Sequence, residues 1–142
     1  MSFRPINYES GKTILLPAKA SITFLKNSAL ADDGAGYITN AAASTAVDIQ
    51  FVSAEAVVSG ATDGATLLNC IPTRHVRFEA DCDAAPAQTD VGTLADLAGA
   101  ATLNPDASTN DLFLIEKIVV DAANPVGTST KVTGYFQHAN ET

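Results

Sequence analysis

Apolar and polar residues alternate with a period of two in several short stretches of the chain, whereas the 3.6-residue period of an amphipathic helix is hard to find. In residues 74–81, Val76, Phe78 and Ala80 alternate with charged residues, as expected for a strand with one face on a core. The stretches predicted to form strands are 20–26, 47–58, 74–81, 111–120 and 131–138.

Two of these stretches depart from simple alternation. Residues 47–58 change phase at Phe51 and Val52, which predicts a β-bulge or a bend. Residues 111–120 are apolar on both faces except at Glu116 and Lys117. This second pattern predicts either a central strand covered on both sides or a strand shared with a second molecule.

Residues that favour turns separate the predicted strands, at 32–36, 60–64, 104–106 and 124–127. Short helices are conceivable only at 41–46 and 93–101, and both segments could equally be loop or strand edge.

A length of 142 residues leaves room for one domain. The predicted fold is all-β, a single small β-barrel or β-sandwich at residues 20–142 with an extended N-terminal arm at residues 1–19.

Charge is unevenly distributed along the chain. The formal net charge of −8 and the pI near 4.4 argue against binding to nucleic acid or to an anionic membrane, because both need a cationic surface. Residues 1–30 nevertheless carry four basic residues against Glu9 alone, a balance of +3. Residues 31–142 carry 4 basic and 15 acidic residues, a balance of −11. This asymmetry suits an N-terminal arm that meets an acidic partner surface.

We therefore expect the arm to bind a partner and to be dispensable for folding, at least over residues 1–10. The residues predicted to make this contact are apolar anchors and the basic residues between them: Phe3, Arg4, Ile6, Tyr8 and Lys12.

The sequence offers little for catalysis. Its two histidines, His75 and His138, lie in no recognisable nucleophile–base arrangement, and no G-x-S-x-G motif surrounds a serine. Together with Cys70 and Cys82 they match no zinc-site spacing. The two cysteines are expected to be free thiols, although one disulfide stays possible. We predict a protein that is not an enzyme and uses no cofactor or metal.

Acidic residues alternate at Glu79, Asp81 and Asp83. They could gather around Ca²⁺, but the loop pattern of a calcium site is missing. A solvated acidic edge that limits aggregation is the preferred interpretation.

Three segments carry a resemblance to a known class of proteins: Asp90-Val91-Gly92-Thr93, the stretch 108–115 (STNDLFLI) and the stretch 131–136 (KVTGYF). The chain resembles the decoration, or cement, proteins that stabilise the heads of tailed bacteriophages. The resemblance implies a small β-barrel or β-tulip body, placed on local symmetry axes of the shell, commonly as a trimer and sometimes as a dimer. It implies no catalytic residues.

The expected function is therefore that of a virion structural protein that bridges neighbouring major capsid subunits. Its expected partners are the major capsid protein and itself, with a homotrimer favoured over a dimer. It would be made in the host cytoplasm, because no membrane span or signal peptide is recognisable, and would reside on the outer surface of the capsid. The alternative is a carbohydrate- or ligand-binding β-sandwich of a surface or tail assembly. A tail-tube or head-fibre role is not separable by sequence.

Overall fold

The computed structural model describes residues 3–6 and 12–138, and β-strands form nearly all of their regular structure, apart from a 3-10 turn at Gln88–Asp90. The prediction of a small all-β barrel or sandwich is confirmed. The strands are β1 (Phe3–Pro5), β2 (Ile14–Pro17), β3 (Thr23–Phe24), β4 (Leu30–Asp32), β5 (Ile38–Asn40), β6 (Phe51–Ser53), β7 (Val57–Val58), β8 (Leu67–Pro72), β9 (Phe78–Asp81), β10 (Leu94–Gly99), β11 (Thr102–Asn104), β12 (Phe113–Ile118) and β13 (Lys131–Phe136).

Six strands form one antiparallel sheet in the order β1–β9–β13–β12–β10–β11. The sheet curls into a half-barrel. A parallel bridge between Cys82 and Leu103 joins the end of β9 to β11, and the N–H of Asp83 donates to the carbonyl of Leu103 at 2.9 Å. The edge strand β11 therefore contacts the end of β9, the strand next to the opposite edge strand β1.

The other strands enclose a smaller core beside the half-barrel. Strands β2, β8 and β6 form a three-stranded sheet, β4 and β5 form a hairpin, and β3 pairs with β7. Isolated bridges tie the hairpin to both sides of the three-stranded sheet, from Ala29 to Val52 and from Ala18 to Ile38.

The larger core lies inside the half-barrel and is centred on four phenylalanines. The ring of Phe136 lies 4.9 Å from that of Phe3, 5.3 Å from that of Phe78 and 5.1 Å from that of Phe113, measured between centroids. All four side chains are buried. Burial of each stabilises the fold by about 1.5–3 kcal/mol, and tilted ring pairs add to this.

Strand β6 explains the phase change seen in residues 47–58. Its pairing with β8 shows no register shift, so the predicted bulge at Phe51–Val52 is wrong. Val52 is buried in the larger core, whereas Phe51 packs against the smaller one. The two apolar residues are adjacent because both faces of β6 are covered.

The N-terminal segment is where the structure corrects the sequence interpretation most. Phe3 is 0% exposed, and β1 pairs with β9 in register Phe3–Ala80. Strand β2, also within residues 1–19, pairs with β8. The boundary predicted at residue 20 is thus not a boundary of the fold. That the first ten residues are dispensable for folding stays a prediction, and the burial of Phe3 argues against it.

The segments left open between helix, loop and strand are also resolved. Residues 94–99 form β10, because pairing with both β11 and β12 buries Ala95 and Leu97. Residues 41–46 form turns and loop.

The turn at 32–36 joins β4 to β5 as predicted, with Gly34 and Gly36 at positive φ. Asp33 accepts hydrogen bonds from the N–H groups of Ala35 and Tyr37, and these bonds hold the pKa of its carboxyl below the usual value.

Candidate functional site

The residues predicted to bind a partner are separated by the fold into different environments. Phe3 belongs to the core, so its role as an exposed anchor is wrong. Ile6 is 53% exposed, and Lys12 is also exposed. Tyr8 lies outside the described residues. The predicted contact residues that remain on the described surface are thus Ile6, Lys12 and, in part, Arg4.

Arg4 takes part in an ion-pair network on the outer face of the half-barrel. It pairs with Glu79, directly opposite on β9, and its Nη1 lies 3.7 Å from Oδ2 of Asp81. From the other side, Nζ of Lys131 lies 3.6 Å from Oδ1 of Asp81. The interpretation of a solvated acidic edge is therefore wrong for β9, which is an inner strand whose carboxylates face basic residues on both neighbours.

Apolar side chains are exposed on β2 and at the start of β8, and we call Ile14, Leu15 and Leu67 the edge patch. These side chains are 41%, 55% and 53% exposed. Strand β2 is the edge strand, and Leu15 lies opposite Asn69 in β8, two residues from Leu67. Pro17 lacks an N–H, which limits further strand pairing at that end. Lys12 lies two residues before Ile14 in the sequence.

A second surface feature is a half-open cavity of about 350 Å³ where the β8–β9 connection meets the end of β13. Nε and Nη2 of Arg77 donate to Oε1 and Oε2 of Glu116 at 2.8 and 3.1 Å. This pairing raises the pKa of the guanidinium further. The Cζ atom of Arg77 also lies 5.9 Å from the centroid of the Tyr135 ring. The walls are formed by Thr73, His75, Val76, Arg77, Tyr135 and Phe136.

His138 serves the fold beneath this cavity. Its ring is buried, and Nε2 lies 2.9 Å from Oγ1 of Thr73. The hydroxyl of Thr73 donates its one proton to the carbonyl of Ile49 at 2.6 Å, so it accepts from Nε2 of His138. This bond ties the end of β13 to the β8–β9 connection.

The cysteines are free and buried in different cores, Cys70 in the smaller and Cys82 in the larger. Desolvation raises the pKa of each thiol to about 12. Across residues 3–6 and 12–138, no group of three or more His, Cys, Asp and Glu side chains is placed to hold a metal ion. The arrangement offers no activated nucleophile at either cysteine.

The sequence analysis did not identify one buried acidic residue, Asp96. Asp96 is 5% exposed, and its carboxylate accepts hydrogen bonds from the N–H groups of Thr109, Asn110 and Asp111, at 3.1, 2.7 and 2.9 Å. It fixes the loop before β12, so its role is structural. In the sequence, Asp96 is marked only by being a single acidic residue within an otherwise apolar stretch.

Comparison with known proteins yields no relative: no protein-family model, no curated protein and no solved structure matches the chain. The part of the chain that the structure describes contains no helix of the length and apolarity needed to cross a membrane. Any functional conclusion therefore depends on the surfaces described above.

Proposed function

We propose that the protein is a structural component of a bacteriophage virion, one that decorates the outer surface of the capsid and bridges neighbouring major capsid subunits. The observation that carries this proposal is the edge patch, in which Ile14 and Leu15 are exposed on the edge strand β2 and Leu67 is exposed at the start of the neighbouring strand β8. Clustered apolar side chains of this size on a sheet edge are typical of a surface that associates with another protein.

The charge distribution supports an acidic partner surface next to the edge patch. Lys12 lies two residues before the start of β2, within the N-terminal thirty residues that carry a balance of +3. The remaining residues carry a net charge of −11, and repulsion between these acidic surfaces would keep decorated particles apart. The proposed contact combines an apolar centre with a basic flank, and only the basic part should weaken with salt.

Stabilisation of a shell would follow from mass action. A protein that binds the assembled shell and not free capsid subunits shifts the equilibrium toward the shell, and many copies add their effects. We further propose self-association, with a trimer favoured over a dimer. Analytical ultracentrifugation tests this separately, and a 14.6 kDa species at all concentrations, both free and after release from heads, would contradict it.

The test of capsid binding uses heads of a phage that encodes this chain, prepared without it. Wild-type protein should co-sediment with these heads and raise their rupture temperature. Leu15→Asp combined with Leu67→Asp should abolish both effects while leaving the circular-dichroism melting curve close to wild type. Val58→Asp is the matched control, because Val58 is 71% exposed on β7, outside the edge patch.

Two results would overturn the proposal. If wild-type protein fails to bind the heads, the virion role is wrong, and a ligand-binding module becomes the better interpretation. If the double variant binds like wild type, the edge patch is not the contact surface.

A further inference from the structure

The direction of the backbone groups along β2 follows from the hydrogen bonds around this strand. The N–H of Ala18 donates to the carbonyl of Thr66 at 2.9 Å, which makes these two residues a hydrogen-bonded pair just past the β2–β8 ladder. Hydrogen-bonded and non-hydrogen-bonded pairs alternate along two antiparallel strands. Leu15, opposite Asn69, therefore belongs to a non-hydrogen-bonded pair, and its N–H and C=O point away from β8.

Two further hydrogen bonds support this assignment. On the other side of β8, the N–H of Ala54 donates to the carbonyl of Asn69 at 2.9 Å, so the backbone of Asn69 faces β6 and not β2. Past the end of β2, the N–H of Lys19 donates to the carbonyl of Ile38 at 2.9 Å, on the side away from β8. Every second residue from 13 to 19 thus directs its backbone groups to the open side of the sheet.

The open edge of β2 therefore presents donors and acceptors in a defined order. Thr13 and Leu15 each direct an N–H and a C=O outward, whereas Pro17 directs only a C=O because it has no N–H. In the part of the chain that the structure describes, β8 is the one strand that pairs with β2. An edge with unpaired backbone groups and exposed apolar side chains is a template for one more strand.

A second copy of β2 fits this edge in one register. Antiparallel pairing with Ile14 opposite Ile14 of the second copy sets Thr13 of each copy opposite Leu15 of the other. Each Thr13–Leu15 pair then exchanges two hydrogen bonds, because both residues direct an N–H and a C=O outward. A pairing centred on Leu15 would instead set Thr13 opposite Pro17, whose ring occupies the place of the missing N–H. Pro17 therefore favours the register centred on Ile14.

The side chains of the edge suit the same arrangement. Ile14 lies opposite the buried Cys70 and shares its face of the sheet, yet it is 41% exposed because no strand follows on the open side. In the pair, the two Ile14 side chains meet at the twofold axis, in a non-hydrogen-bonded position where opposite side chains lie closest. Leu15 and Leu67 lie on the other face, where the edge patches of the two copies would form one larger apolar surface.

We propose that two copies of this chain pair antiparallel through the open edges of β2, about a twofold axis at Ile14, so that their three-stranded sheets become one continuous sheet. This inference rests on the self-association proposed above, names its contact, and does not depend on capsid binding. The product is a dimer, because two identical edges that pair about a twofold axis are both used. A trimer needs a different surface. So short a strand pair buries less area than a standard interface, and we expect a Kd on the order of 50 µM.

The test is Leu15→Pro in the full-length protein. The substitution removes the outward N–H without removing a β2–β8 hydrogen bond, and Pro17 shows that β2 accepts proline at an outward position. Leu15→Val is the matched control, because it keeps the N–H and an apolar side chain. In analytical ultracentrifugation from about 5 to about 500 µM, wild type and Leu15→Val should shift from monomer to dimer. Leu15→Pro should stay monomeric, with a melting curve close to that of wild type.

Amide hydrogen exchange of the wild-type protein gives a second readout, which decides the question if Leu15→Pro melts far below wild type. The N–H groups of Thr13 and Leu15 should exchange several-fold more slowly at about 500 µM than at about 5 µM. The N–H of Ala18, which is bonded within one copy, should show no such dependence on concentration.

Three results would overturn the inference. A trimer that Leu15→Pro leaves intact contradicts the β2 contact, while self-association itself stands. A wild-type monomer over the whole range contradicts both. Exchange at Thr13 and Leu15 that is slow at every concentration shows that the chain itself covers this edge. Failure to bind phage heads, by contrast, contradicts the virion role and leaves the β2 contact standing.

Discussion

Replacement of Gly134 by alanine tests whether the half-barrel depends on the close approach of β12 and β13. Gly134 is a buried residue in the middle of β13, with Ile115 opposite on β12 and Phe78 opposite on β9. A Cβ atom at this position would overlap the carbonyl oxygen of Leu114 and come within 2.7 Å of Cε1 of Phe113. Ordinary contact begins at 3.4 Å, so the strands cannot keep their present separation.

The expected cost follows from what must move. The overlapped atom belongs to the backbone of a central strand, and the second neighbour is a ring of the phenylalanine cluster. Overpacking of a core usually costs about 1–3 kcal/mol, and a displaced ladder hydrogen bond adds about 1 kcal/mol. We therefore expect the free energy of unfolding to fall by about 3 kcal/mol or more, from the ~5–15 kcal/mol typical of such a domain. The melting temperature should fall by roughly 10 °C.

Thermal and urea unfolding followed by circular dichroism measure this loss. Gly99→Ala is the matched control, because Gly99 also lies in a strand but its added Cβ would meet nothing closer than Oγ1 of Thr102 at 3.8 Å. The control should change stability by less than about 1 kcal/mol. A Gly134→Ala variant that melts within 2 °C of wild type, a change of under about 1 kcal/mol, would refute the reasoning.

Three further predictions concern other parts of the fold. Phe3→Ala should lower the free energy of unfolding in urea by about 3–5 kcal/mol, whereas Ile6→Ala should change it by less than about 0.5 kcal/mol, because only Phe3 is buried. Equal losses would contradict the assignment of β1 to the core. Asp96→Ala should cost about 3 kcal/mol and speed amide exchange at residues 109–111, whose N–H groups lose their acceptor; unchanged exchange would show that the carboxylate does not fix the loop. Cys70 and Cys82 should resist alkylation at neutral pH until the protein unfolds, because their thiols are buried and their pKa values are raised to about 12, far above neutrality; rapid labelling of the native protein would contradict this.

The sequence by itself determined the local features of this protein. Alternation in residues 74–81 identified Val76, Phe78 and Ala80 as core residues, because successive side chains of a strand point to opposite faces whatever its neighbours are. The turn at 32–36 could also be predicted from the sequence, since Gly34 and Gly36 supply the positive φ that the hairpin needs. The apolar run at 111–120, broken only at Glu116 and Lys117, predicted either a central strand or one shared with a second molecule, and β12 is an inner strand between β13 and β10.

Tertiary structure alone decided which segments meet. Arg4 and Glu79 are 75 residues apart, and nothing local to either shows that β1 closes against β9 and turns an expected arm into core. The apolar spacing of residues 94–98 fits a helical turn as well as a strand, and pairing with β11 and β12 settled it. The edge patch and the cavity at Arg77 arise in the same way. Both are surfaces assembled from strands distant in sequence, whereas a pattern along the chain reports only the faces of one strand at a time.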